Sequence, residues 1–356
     1  MWPAPVVEAA LDNVLWDLDE ARALSLVDQW TRASARVLRN ISVVRNISVL
    51  VVLPGNIIGP AIQSAFCAAV AGARATLKAS SVERHLGALV AAQVEAFGPP
   101  LAGSIRAEHW RGGDLAAEAQ ALSNADRVVA FGDDATIEQI RSRAYARDIG
   151  FTGYGESYSI GYVASESDVA RAAERAARDI CLFDQRGCMS PQTIYVAGDP
   201  GRAVLFARTL AGAIEMESNR LPRAALEPGE PALISDAARR LAASAMEPVP
   251  HGLDTLIVGP SREGAPDFVV AVEPFGQPTC IGYGRICVVK PCAGARDVTT
   301  QLKYFGRTVE SIGLAPGETG TDRAAFALAG ALRLCSLGEM QRPPFGYRPS
   351  IGDFVA

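Results

Sequence analysis

Val49-Leu50-Val51-Val52-Leu53-Pro54-Gly55-Asn56-Ile57-Ile58-Gly59-Pro60, running on to Ala71, is the stretch whose reading decides the fold. Val49–Leu53 is apolar and rich in β-branched residues, as a strand buried on both faces requires. Pro54-Gly55-Asn56 makes a turn. Pro60 then falls in the first turn of an alanine-rich helix, where its missing N–H is no loss. A second strand is expected at Ala75–Lys78. No charged residue lies between Val49 and Ala73. The Pro-Gly-Asn break, with Gln63 and Ser64 beyond it, nevertheless favours strand, turn and buried helix over a membrane span.

Upstream, residues 5–38 have helical apolar spacing through Leu11, Val14, Leu15 and Leu18, then Leu24, Val27 and Trp30. A tandem echo follows, Arg39-Asn40-Ile41-Ser42-Val43 and Arg45-Asn46-Ile47-Ser48-Val49, and 41–53 is strand-like. Two copies do not make a repeat architecture. Downstream, helices at Val82–Ala96, Leu115–Leu122 and Ala135–Ala146 alternate with strands at Ser104–Glu108 and Arg127–Phe131. A second series has helices at Ser167–Cys181, Ala203–Met216 and Ala232–Ala245, with strands at Thr193–Val196, Asp267–Val272 and Arg285–Lys290. This alternation predicts an α/β chain of two Rossmann-like, doubly wound parallel-sheet domains, with ligands at the carboxyl ends of the strands. The expected divisions are 1–155, 156–335 and an irregular tail at 336–356.

Composition narrows the function. The chain has 356 residues, 49% hydrophobic and 21% charged, with a net charge of -5, ordinary for a soluble globular protein. Lys and Arg are scattered, so no nucleic-acid partner is expected. Seven cysteines without a close pair, and three histidines (His85, His109, His251) without ligand spacing, point to a metal-free cytoplasmic protein with reduced thiols. The early acidic residues Glu8, Asp12 and Asp17 do not suit a secretory leader.

Cys188 stands out among the thiols. It follows a helix and Gly187 and precedes a strand. A nucleophilic thiol needs backbone amides close by, to lower its pKa and to bind an oxyanion, and a glycine permits that approach. On spacing alone, a small buried hydrophobe is the commoner role. The run Asp184-Gln185-Arg186-Gly187-Cys188-Met189-Ser190-Pro191-Gln192 resembles the active-site segment of the LuxC-type long-chain acyl-CoA reductases of bacterial luminescence, a branch of the aldehyde dehydrogenase superfamily. Leu53-Pro54-Gly55-Asn56, Leu77-Lys78, Trp110–Asp114, Ala125-Asp126 with Phe131-Gly132, Gly155 with Ser159, and Leu337–Met340 match in the same order, so the resemblance spans roughly 45–345.

The resemblance implies an aldehyde-dehydrogenase-like fold with a dinucleotide-binding first domain, abbreviated at its N-terminus, and a second domain carrying nucleophilic Cys188. It implies Asn56 as the side-chain donor of an oxyanion hole and Lys78 as a holder of the adenosine ribose, against the plainer readings of a turn residue and a solvated lysine. Where NAD-preferring relatives carry a phosphate-repelling glutamate, this chain has Ser81 with Arg84 behind it, which leans toward NADPH over NADH despite Glu83 nearby. Gly132 is expected beside the cofactor. Glu273-Pro274-Phe275-Gly276 is similar to the segment that binds the nicotinamide ribose, so Glu273 and Phe275 join the cofactor set. The water-activating Glu-Leu-Gly-Gly segment is absent; Glu156 is the candidate acid–base residue near it. The implied activity is NADPH-dependent reduction of an acyl-CoA or acyl-carrier-protein thioester to an aldehyde through an acyl-cysteine, by a dimer or tetramer. An aldehyde-oxidising enzyme and a non-catalytic subunit of a biosynthetic complex are the alternatives.

Overall fold

The computed structural model describes residues 2–26, 28, 47–99, 101–246, 254–282 and 284–355. The chain forms two compact units. The first comprises Leu11–Glu156 with Pro343–Ala356, the second Met1–Ala10 with Ser157–Arg342. Both ends of the chain thus depart from the expected divisions. Apolar residues scattered through the Pro- and Gly-rich tail explain its end: Leu337 and Met340 are buried in the second unit, and Phe345, Ile351 and Phe354 in the first. Helix α1 spans Ala4–Leu15 and a further helical stretch covers 20–26. The rest of the helical reading, and all but the end of the tandem echo, lie outside the described residues.

The first unit holds a parallel sheet of order β3-β2-β1-β4-β5, formed by Ile105–Glu108, Arg74–Lys78, Ser48–Val52, Arg127–Phe131 and Gly150–Tyr154. Alternate side chains divide its core. Val49, Val51, Ala75 and Leu77 face α2 (Gly59–Ala71), α3 (Leu86–Ala96) and the returning Phe345, Ile351 and Phe354. Leu50, Val128 and Ala130 face α4 (Leu115–Ser123) and α5 (Asp134–Tyr145). Asp114 and Asp133 cap α4 and α5 by accepting the N–H of Ala117 and Thr136. Helix α3 begins four residues later than expected, because the Glu83 carboxylate accepts the N–H groups of His85 and Leu86 and caps it there.

The second unit's sheet has the order β14-β13-β6-β7-β12-β11-β8. Its strands are β6 (Tyr158–Val163), β7 (Pro191–Ala197), β8 (Leu256–Val258), β11 (Val269–Val272), β12 (Ile286–Cys292), β13 (Val309–Leu314) and β14 (Arg333–Ser336). All pairings are parallel except that of the edge strand β8. A short hairpin, β9–β10 (Ser261–Arg262 and Ala265–Pro266), precedes β11. Helices α6 (Val169–Cys181) and α7 (Pro200–Arg220) pack on each other. Ile234, Ala237 and Leu241 of α8 (Glu230–Ser244) cover β11 and β12. On the β6 and β13 side the cover comes from α9 (Ala295–Lys303) and α10 (Gly320–Ala327), through Val298, Leu302 and Phe326. No helix among the described residues is long and apolar enough to cross a membrane.

Candidate active site

Cys188 occupies a turn closed by the Ser190 N–H on the Gly187 carbonyl, between α6 and β7. It therefore lies at the amino edge of its sheet, whereas the expected ligand edge was the carboxyl one. The approach is unusual. Phe183, Asp184 and Gln185 all have positive φ (55°, 48° and 63°), a left-handed run that side chains rarely adopt. Each of the flanking polar residues is tied down. The Asp184 carboxylate accepts from Arg285 Nε at 2.7 Å and from the Ala224 N–H at 3.0 Å. Gln185 donates to the Pro191 carbonyl and accepts the Ile286 N–H. Ser190 Oγ donates to the Asp179 carbonyl and accepts from Gln341. Gln192 Oε1 accepts the N–H groups of Ile281 and Gly282. The Asp-Gln and Ser-Pro-Gln flanks are thus the fastenings of the turn.

Cys188 itself is held from β6. Ser159 Oγ donates to the Cys188 carbonyl at 2.7 Å and accepts the Ser311 N–H at 3.1 Å. Pairing shifts register at Ser159/Ile160 against β7 and at Val309/Ile312 against β6, so both irregularities fall at this edge. A Cβ at Gly187 would sit 3.1 Å from Gln341 Oε1, so a larger residue before the thiol would need that side chain to shift. Cys188 is partly exposed. Burial pushes the other six thiols upward, Cys67, Cys181 and Cys292 to about 12, Cys280 and Cys335 to about 11, and Cys287 likewise upward. Those six stay protonated at neutral pH and are poor nucleophiles.

In the first unit, Asn56, Lys78 and Gly132 share the carboxyl edge of the sheet. Asn56 follows β1, Lys78 ends β2 and Gly132 follows β4. The β1–β4 neighbours are where the strand order reverses, the usual crevice of a doubly wound sheet. Lys78 is buried, its ammonium 5.7 Å from the Trp110 ring centre. Burial lowers its pKa, and Glu118 opposes that shift. A cavity of about 250 Å³ opens here between α4 and α5, lined among others by Val52, Lys78, Trp110, Gly112 and Thr136. The Glu118–Arg143 ion pair, at 2.6 Å, stands in its wall. Ser81 and Arg84 are exposed beyond β2, and Arg84 Nε donates to the Ser81 carbonyl. The Glu83 carboxylate is engaged in the α3 cap, where it accepts the N–H groups of His85 and Leu86. Gly55 is fixed by Ser80, whose Oγ lies 2.5 Å from where a Cβ would be.

Glu156 is exposed at the end of the first unit and gives its N–H to Asp134. Glu273 is more engaged than its motif suggests. It is buried, accepts from Ser244 and Thr279, and pairs with Lys290 at 3.0 Å. Burial works against its charge, but those three donors outweigh it and hold the carboxyl below its ordinary range. Phe275 is exposed, with its ring 6.2 Å from that of Tyr195. No cluster among the described residues is arranged to hold a metal ion. Nothing in the sequence marks Arg285, Asp179 or Gln341 as parts of the site. Arg285 and Gln341 act from far along the chain and Asp179 from within α6, and only Ser159 carried a signal, through its place in the resemblance.

Comparison with known proteins bears on the family and the fold. The family model "Acyl-CoA reductase (LuxC)" matches residues 11–348. A long-chain acyl-protein thioester reductase 2 of Photobacterium leiognathi is 38% identical over 102 residues, 28% of this chain and 21% of the relative. The long-chain acyl-protein thioester reductase of Photorhabdus luminescens is 26% identical over 189 residues, 52% of this chain and 38% of the relative. The matched stretches are thus well under half of either relative's length. Among solved structures, the aldehyde dehydrogenase PutA of Anabaena variabilis superposes with a TM-score of 0.66 at 16% identity, over 94% of this chain and 75% of that one.

Proposed function

This chain belongs to the acyl-CoA reductase (LuxC) family, and on that premise we propose that it reduces an acyl thioester to an aldehyde through an acyl group carried on Cys188. The observation that carries the reading is the Cys188 turn, fastened from α6, β6 and β12 while Cys188 stays partly exposed. In this mechanism the Cys188 thiolate adds to the thioester carbonyl. The oxyanion takes a hydrogen bond from the Cys188 backbone amide, and Asn56 is the side-chain donor that the family resemblance implies. Collapse expels the thiol of CoA or of a carrier protein, leaving a thioester on Cys188. NADPH, held by Lys78, Ser81, Arg84 and Gly132, would supply the hydride that reduces this acyl group to the aldehyde, and Cys188 would leave as the free thiol. Two features favour retention of the acyl group until reduction: the Glu-Leu-Gly-Gly segment is missing and Glu156 is exposed.

Lys78, Ser81, Arg84 and Gly132 are the cofactor residues of this reading in the first unit, with Glu273 and Phe275 in the second. Lys78 in the lining of the cavity suits the adenosine ribose, and the exposed Arg84 guanidinium suits the 2′-phosphate of NADPH. A cytoplasmic homo-oligomer completes the proposal. The test is to mix purified protein with NADPH and acyl-CoAs or acyl carrier proteins of several chain lengths, following NADPH absorbance and the mass of the peptide bearing Cys188. Aldehyde formation and an acyl adduct on Cys188 are expected. Unchanged absorbance with every thioester would sink the reading.

A further inference from the structure

Four non-glycine residues with positive φ meet at one place in the second unit: Phe183, Asp184 and Gln185 before the cysteine, and Arg285 before β12 at φ 58°. Such conformations persist only where their surroundings over-determine them, and they gather at functional sites. Here the two strained segments hold each other. The Gly284 N–H donates to the Asp184 carbonyl at 3.0 Å, and the Ile286 N–H to Gln185 Oε1 at 2.7 Å. Between them Arg285, with no exposed surface, grips the Asp184 carboxylate at 2.6 Å. Its remaining donors go to Ser218 Oγ at 2.6 Å and the Leu221 carbonyl at 2.7 Å, both at the end of α7. A guanidinium has the fork to serve three such acceptors at once; an ammonium does not.

We infer that Arg285 is a positioning residue for Cys188: by locking the left-handed run 183–185 it fixes the direction in which the chain enters the Gly187–Ser190 turn, and so the orientation of the thiol and the amide beside it. The inference rests on the reading of Cys188 as nucleophile. Its physical basis is a chain of contacts. Arg285 holds Asp184, the next residue Gln185 ties to Pro191 beyond the turn, and Cys188 lies between those two anchors.

Two variants test it. Arg285→Lys keeps the charge and loses the fork. Arg285→Gln combined with Asp184→Asn removes the buried ion pair as a neutral unit, so the fold is not left with an unmatched charge. The first readout is the rate of Cys188 alkylation by iodoacetamide across pH 6–10, followed by peptide mass, which requires no substrate. The second is kcat and KM for reduction of an acyl-CoA by NADPH. The expected result for the double variant, once its near-UV spectrum shows a packed core, is an alkylation profile displaced along the pH axis. Its kcat should fall by roughly 10²-fold, with KM little changed, and Arg285→Lys should fall between it and the parent. An alkylation profile that matches the parent in the folded double variant would overturn the inference. A displaced profile in a protein whose parent reduces no thioester would leave the positioning role standing and remove the proposed reaction instead.

Discussion

Asn56 and Cys188 are the two residues on which the chemistry is staked, and they fail differently when altered. Cys188→Ala is expected to abolish both NADPH consumption and the acyl adduct, because no other thiol is placed to take over. Asn56→Ala leaves the nucleophile and loses one oxyanion donor, so kcat should drop by roughly 10²- to 10³-fold while the adduct still forms slowly; rapid quenching with mass detection separates the two. Arg84→Ala should raise KM for NADPH and leave KM for NADH nearly unaltered, as measured by initial rates with each cofactor. At this scale the sequence was legible only in part. The Asp-Gln and Ser-Pro-Gln flanks carried the resemblance, but their function as fastenings was hidden. Their partners Arg285 and Gln341 are distant in the chain, and no local pattern links a residue to a donor 101 or 151 positions away.

The elements show why some strands escaped sequence reading. Strands β5, β6 and β13 each contain glycine, which weakens the alternation and propensity signals of a strand. The glycines are there for close packing. A Cβ at Gly313 would lie 2.4 Å from Met340 Sδ, and one at Gly161 3.0 Å from Ile194 Cγ1. Gly313→Ala should therefore destabilise the second unit by about 1–3 kcal/mol, visible as a lower unfolding midpoint in urea. Helix α6 supplies a second check. Its Asp179 is buried, accepts the N–H groups of Gly338 at 2.5 Å and Met340 at 3.0 Å, and is pushed by burial, against those bonds, up to about 7. A folded carboxyl with a raised pKa binds its proton more tightly than the unfolded chain does. Its contribution to stability is thus complete below about pH 4 and is lost as pH rises toward 7. Asp179→Asn should flatten that part of the stability–pH curve, measured by urea unfolding at pH 4 to 8. A variant curve that parallels the parent throughout would refute the assignment.

For the whole molecule, alternating strands and helices identified an α/β chain with parallel sheets, because hydrophobic period and turn chemistry are local properties; the aldehyde-dehydrogenase-like fold came from the resemblance of the motifs. The exchange of chain ends between units was not visible, since burial of Phe345 or Ile351 depends on a partner surface rather than on neighbours in sequence. A global measurement tests the cofactor reading: NADPH at a hundred times its dissociation constant should stabilise the protein by about 2.7 kcal/mol, seen as a raised melting temperature larger than that from NADH at equal concentration. The absence of any shift with either dinucleotide would argue for a non-catalytic role. The crossing of the chain ends also matters during synthesis. The first unit's sheet leaves the ribosome early, yet part of its core, Phe345, Ile351 and Phe354, emerges only after the whole second unit has been made. At about 5–20 residues per second, that nascent unit waits many seconds before its last core residues can fill its apolar face.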